Sequence, residues 1–160
     1  MNALKQKRKE LGLTQVEAAQ ICGVSRRSFQ YYEENDEYEE MRRKILEIIE
    51  NSEKNRILGL QFIKLTCAQI FKKYPEIRCA YLYGSYARKE ATGQSDVDIL
   101  VVCPPMGTKF YHLVGELKEA LGKQVDLQTH RQIGDNEKFL ENILVDGILL
   151  YKKPLFKNSR

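Results

Sequence analysis

Apolar residues recur at helical spacing through the first half of the chain and gather into short strand-like runs after residue 75. Leu4, Arg8 and Leu11 predict a helix over 2–12, with Gly12 as its stop. Thr14-Gln15-Val16-Glu17 is a capping box that opens a second helix, with Ala18, Ala19 and Cys22 inward. Gly23 turns the chain, Val24 plugs the turn, and Ser25 caps a third helix with Phe29 and Tyr32 inward. Met41, Ile45, Ile48 and Ile49 continue an amphipathic helix. The polar stretch 51–55 marks a domain boundary. A longer helix then runs to Tyr74, with Leu60, Ile63, Cys67, Ile70 and Phe71 on one face and Leu58, Phe62 and Leu65 beside them. So broad an apolar face predicts packing on a sheet. Pro75 stops that helix, and strands are expected over 77–83, 96–103, 124–128 and 147–151. Helices intervene near 85–90, over 108–121 and around Phe139, Ile143 and Leu144.

Composition narrows the class without choosing a function. Hydrophobic residues make up 42% and charged residues 30%, which suits a packed, water-facing chain. No run approaches the roughly 18 apolar residues of a membrane span, and the N-terminus has no apolar core behind its charges, so a cytoplasmic protein with no membrane partner is expected. Cys22, Cys67, Cys79 and Cys103 are widely spaced in apolar contexts and read as reduced core side chains. His112 and His130 receive no role. The net charge of +4 permits nucleic-acid binding without arguing for it. The tail KKPLFKNSR is basic and expected to fray.

The stretch YLYGSYARKEATGQSDVDILVVC, residues 81–103, carries the candidate chemistry. Side chains alternate along a strand, so Asp96 and Asp98 point the same way, roughly 6.6 Å apart. Carboxylates so spaced suit divalent cations. Gly84 lets the backbone approach a ligand, and Ser85 opens a short helix or turn whose N–H groups suit a phosphate. Arg88, one helical turn on, either reaches a phosphate or is a solvated surface arginine. Asp126 sits in an otherwise buried-looking segment, 124–128, where a lone charge is costly.

Glycine-serine, ten residues, then Asp-x-Asp and an apolar run resembles the signature of the DNA polymerase β-like nucleotidyltransferase superfamily. More closely, GSYAR…SDVDILV resembles the minimal nucleotidyltransferases of prokaryotes, including antitoxins of the HEPN/MNT toxin–antitoxin type. That resemblance implies a third carboxylate on the next strand, which falls on Asp126. It implies two Mg²⁺ ions on Asp96, Asp98 and Asp126, ATP as substrate, and Gly84, Ser85 and Arg88 as nucleotide ligands. It also implies a partner: a HEPN ribonuclease toxin silenced by transfer of AMP to a tyrosine. HEPN proteins carry an Arg-x(4–6)-His motif that neither His112 nor His130 completes, so this chain is not itself the toxin.

LTQVEAAQICGVSRRSFQYYEEN resembles the Cro-type (XRE) helix-turn-helix family over about residues 1–50. That resemblance places Gln15 at a DNA phosphate and Arg26, Arg27, Ser28 and Gln30 in the major groove. Glu33, Glu34, Asp36, Glu37, Glu39 and Glu40 form an acidic run just beyond, which near DNA would repel phosphates. A helical bundle for protein contact is the alternative.

The expected fold class is therefore α+β: an all-α helix-turn-helix bundle over 1–52 and a small mixed-sheet nucleotidyltransferase domain over 53–157. The expected function is metal-dependent transfer of AMP to a protein hydroxyl, with DNA-binding autoregulation and a homodimer reading two half-sites on double-stranded DNA. Two alternatives stay open. One is a transcriptional regulator whose second domain only senses nucleotide. The other is an aminoglycoside-type nucleotidyltransferase acting on a small molecule.

Overall fold

A computed structural model describes residues 2–155. The end of the expected catalytic domain, residues 156–157, and the tail residues 156–160 lie outside the described residues. The chain divides into two compact units, one ending at Arg56 and the next beginning at Ile57.

The first unit is all helical: α1 (Ala3–Glu10), α2 (Gln15–Cys22), α3 (Arg26–Glu34) and α4 (Glu39–Lys54), with a 3-10 turn at Asp36–Tyr38. Each cap has a sequence cause. Asn2 accepts from the Lys5 N–H, Ser25 from the Ser28 N–H, and Thr14 with Glu17 closes the expected capping box. Gly23 takes φ +67°, the left-handed turn that lets α2 end and α3 start at once. Leu4, Ala18, Ala19, Phe29, Ile45 and Ile49 form the core. Of the four residues expected to continue the amphipathic helix, Met41 and Ile48 are 38% and 43% exposed, because α4 offers the core one narrow stripe through Ile45 and Ile49. The expected boundary at 52/53 falls inside α4, so the polar stretch there is a solvated helix end.

One charged side chain lies inside this unit. Glu33 is 1% exposed. Arg8 Nε donates to its Oε1 at 2.7 Å, and Gln15 Nε2 donates to its Oε2 at 2.7 Å. Glu33 stands one turn after Phe29 on the inward stripe of α3, so it leaves the acidic run expected at the surface. Arg8 supplies the counter-charge that makes the burial tolerable.

The second unit carries α5 (Leu60–Phe71), β1 (Cys79–Tyr83), α6 (Gly84–Ala87), β2 (Val97–Val102), α7 (Thr108–Leu121), β3 (Val125–Thr129), α8 (His130–Ile133), α9 (Glu137–Asp146) and β4 (Ile148–Lys152). The sheet order is β3-β2-β1-β4. β1 pairs antiparallel with β2 and β4, and β2 pairs parallel with β3. Ala80, Leu82, Val97, Ile99, Val101, Val125, Leu127 and Leu150 form one buried face. They share a core with Ile63, Cys67, Ile70 and Phe71 of α5 and Leu113, Leu117 and Leu121 of α7. Phe62 and Leu65, expected beside that face, are 39% and 65% exposed, since α5 meets the sheet on one side only. The four cysteines are free; Cys67 and Cys103 are buried, Cys22 and Cys79 half-buried. Among the described residues no helix is long and apolar enough to cross a membrane.

Candidate active site

The site is built by strand register. Tyr83 pairs with Asp98 across β1 and β2, and Asp98 pairs with Asp126 across β2 and β3. Directly paired residues share a face, so these three side chains form a row on the face opposite the α5–α7 core. Asp96 lies one residue before β2, exposed at the strand's mouth. The loop that carries Asp96 is tied down. Thr92 and Ser95 close a turn, the Ser95 N–H reaching the Thr92 carbonyl at 3.1 Å. The Lys123 ammonium, 9% exposed as a residue, donates to the Gly93 carbonyl at 2.8 Å.

Asp126 differs from its expected setting. It is exposed, because β3 is an edge strand whose alternation buries Val125 and Leu127 and turns Asp126 outward. Burial therefore does not single it out; its register beside Asp98 does.

Gly84 begins α6 at φ +72°. A Cβ there would overlap Asp98 Oδ2 and lie 3.0 Å from its Cγ. Glycine is thus required twice, by its left-handed φ and by the approach of the Asp98 carboxylate. Ser85 is half-buried next to it. No side chain caps the start of α6, leaving its first-turn N–H groups at this corner for an anion. Arg88 is exposed and its Nε pairs with Glu90 Oε2 at 3.0 Å, yet its charge is felt at Asp98.

Burial, then Asp126, then Asp96 push the Asp98 carboxyl up to about 6, with Arg88 pulling the other way. The raised value means that Asp98 favours the fold below about pH 4 and that this contribution is lost as pH rises through about 6. In chelator, Asp98→Asn is expected to raise the melting temperature at pH 7.5 and to leave it unchanged near pH 4. The shift from 3.8 corresponds to about 3 kcal/mol, and solvent screening at a half-buried group reduces it to roughly 1–2 kcal/mol. Equal melting points for both proteins at pH 7.5 would remove the proposed crowding of charge.

Carboxylate oxygens are the donors that Mg²⁺ takes. Among the described residues no three His, Cys, Asp or Glu side chains close into a metal cage. Mg²⁺ needs none, since it keeps waters and completes its shell with substrate phosphates. Asp98 and Asp126 are paired in register beside the Gly84 corner, with Asp96 two residues upstream of Asp98, and their carboxylate oxygens are of the kind the ion takes.

Gly84→Ala is expected to cost about 1–3 kcal/mol through its φ and to lower any activity at this corner about 100-fold by displacing Asp98. A thermal melt and a turnover assay read the two effects; an alanine variant of normal activity contradicts the close approach.

In the first unit, Arg26, Arg27 and Gln30 of α3 are exposed, as groove-reading side chains must be. Ser28 is half-buried and its hydroxyl bonds to Ser25 Oγ at 2.8 Å, part of the helix cap. Gln30 Nε2 reaches Glu34 Oε1 at 3.3 Å. The Gln15 amide points inward to Glu33, so a phosphate near it would meet the backbone N–H of the first turn of α2.

Sequence reasoning passed over Tyr83 and Lys123. The signal for Tyr83 was its place one residue before Gly84, in phase with Tyr81 and out of phase with Ala80 and Leu82. Nothing in the local sequence marked Lys123, whose contact spans 30 residues.

A family model described as polymerase beta nucleotidyltransferase matches residues 66–154. A helix-turn-helix model matches residues 4–38. A protein of Methanocaldococcus jannaschii, provisionally named a protein adenylyltransferase, is 41% identical over 61 residues, covering 37% of this chain and 62% of that protein. A second M. jannaschii protein with the same provisional name is 36% identical over 69 residues, covering 41% and 69%. The chain spans less than two thirds of the first relative's length. Among solved structures, a Shewanella oneidensis complex of a tri-AMPylated HEPN toxin with an MNT antitoxin aligns with 58% of this chain and 72% of its own, at 22% identity and a TM-score of 0.44.

Proposed function

This chain belongs to the polymerase beta nucleotidyltransferase family, and from that premise we propose that its second unit transfers AMP from ATP to a hydroxyl of a partner protein. The convergence of Asp98 on the Gly84 corner carries the reading, because it sets acidic metal ligands against a phosphate cradle.

The Gly84 and Ser85 backbone N–H groups and the Ser85 hydroxyl hold the β and γ phosphates, with Arg88 at the rim. Asp96, Asp98 and Asp126 would hold two Mg²⁺ ions, which when bound neutralise the triphosphate and lower the pKa of the incoming hydroxyl. The acceptor oxygen bonds to the α-phosphorus, the bond to the β-bridging oxygen breaks, and pyrophosphate leaves. Asp126, exposed and on the acceptor side of the row, takes the acceptor's proton. The Lys123 bond to the Gly93 carbonyl ties down the loop that carries Asp96.

The relatives' names support a protein acceptor. The resemblance to minimal nucleotidyltransferases nominates a HEPN ribonuclease toxin and one of its tyrosines. The first unit, by its helix-turn-helix match and its exposed α3 face, is the part that binds operator DNA as a dimer and represses its own operon, in the cytoplasm. The domains of this reading are the two compact units, the first ending at Arg56 and the second beginning at Ile57.

Incubation with candidate toxin and ATP labelled at either the α or the γ phosphate tests it. Label from the α phosphate is expected on the partner, with pyrophosphate released in equal amount. Transfer of the γ label instead, or no pyrophosphate at all, overturns the reading; the second result leaves a nucleotide-sensing regulator.

A further inference from the structure

We propose that Lys123 is a positioning residue for the metal site: its ammonium, bonded to the Gly93 carbonyl, fixes the loop that brings Asp96 to the end of β2. The inference rests on the nucleotidyl-transfer reading and gives a functional consequence to a contact outside its chemistry.

Asp96 stands just outside β2, so the strand itself does not fix it. Its loop is exposed at Thr92 and Gln94 and half-buried at Gly93 and Ser95. The turn there closes on itself: the Ser95 N–H reaches the Thr92 carbonyl at 3.1 Å, and the Thr92 N–H reaches Ser95 Oγ at 2.9 Å. Neither bond joins the turn to the sheet. Two others do. The Lys123 ammonium donates to the Gly93 carbonyl at 2.8 Å, and the Val97 N–H donates to the Gln124 carbonyl at 2.9 Å. Asp96 is thus bracketed, with one anchor before it and one after. Both anchors come from consecutive residues, which lead directly into β3 and Asp126. One short segment therefore supports Asp96 and carries Asp126.

Gln124 contributes its backbone, which any residue would supply. Lys123 contributes its side chain, and lysine is seldom buried without a partner. Burying an ammonium is costly, and an apolar residue would fill the space after α7 without that cost. What an apolar residue lacks is the charged donor, which makes the stronger bond to a carbonyl. Loss of one outer-shell support of a metal ligand typically costs about 10–100-fold in affinity or activity.

The test compares wild type, Lys123→Met, Lys123→Arg, Asp96→Asn and the Lys123→Met/Asp96→Asn double variant as full chains. The readouts are kcat, Mn²⁺ affinity by electron paramagnetic resonance, and amide hydrogen exchange of the metal-free proteins. Lys123→Met is expected to lose about 10–100-fold in Mn²⁺ affinity and in kcat. The Thr92 and Ser95 amides should lose their protection while those of α7 and β3 keep theirs. Lys123→Arg, which keeps a charged donor, should recover part of each loss, and Lys123→Met should add nothing once Asp96 is Asn. Unchanged Mn²⁺ affinity, losses that add in the double variant, or protection lost evenly across the second unit overturn the proposal. Should Lys123→Met fail to fold, wild type decides: Thr92 and Ser95 amides that exchange as freely as an unstructured peptide overturn it, and protected ones support it. Should wild type bind Mn²⁺ but transfer nothing, the enzymatic reading fails alone, and the Mn²⁺ and exchange arms still decide on Lys123. A wild type that binds no Mn²⁺ overturns the proposal whatever the exchange shows.

Discussion

Asp98→Asn should abolish nucleotidyl transfer, with a loss of about 1,000-fold or more, while the protein stays folded. Asp98 is the middle of the acidic row, is crowded by Asp126 and Asp96, and touches the Gly84 corner. An amide keeps its shape and removes its charge. Activity and stability therefore move in opposite directions: transfer is lost, and the metal-free protein melts higher at neutral pH. Such opposition is the mark of a group retained for function against the preference of the fold. Radiolabelled ATP measures the first effect and a thermal scan the second. A variant with full transfer would refute the assignment of Asp98.

Arg8→Ala is expected to unfold the first unit. The Glu33 side chain is fully buried and that of Arg8 is 12% exposed. Removing the arginine strands a carboxylate that also accepts from Gln15, and breaking a buried pair costs about 3–5 kcal/mol. A unit of this size has little more stability than that to lose. Circular dichroism melts should lose the helical transition of the first unit while that of the second remains. A loss under about 1 kcal/mol would place the pair among solvated surface pairs.

The architecture was legible wherever one residue type has one local meaning. Thr14 with Glu17, Ser25 and Gly23 ended or began helices as their backbone chemistry requires, whereas the helix expected to run to Tyr74 and stop at Pro75 already ends at Phe71. The apolar run Ile99–Val102 could only be a buried strand. Gly84, Asp96 and Asp98 were legible because their spacing fits strand, turn and strand at once. What stayed hidden depended on partners distant in sequence. Glu33 looks like its acidic neighbours until Arg8, 25 residues away, is seen beside it. Asp126 looked buried because its neighbours Val125 and Leu127 are, but one-faced burial on an edge strand turns alternate residues to solvent. The short helix α8, capped by Thr129 and Gln132, has too few apolar residues to leave a period. Tyr83 read as one more apolar strand residue, and only the fold shows it paired with Asp98 and its hydroxyl buried without a hydrogen-bond partner among the described residues.

Diffraction from crystals grown with Mn²⁺ and a non-hydrolysable ATP analogue tests the central claim most directly. The account predicts anomalous density against the Asp96 and Asp98 carboxylates, with the triphosphate lying along the Gly84–Ser85 backbone. A triphosphate bound elsewhere, or a metal that avoids Asp98, would contradict it.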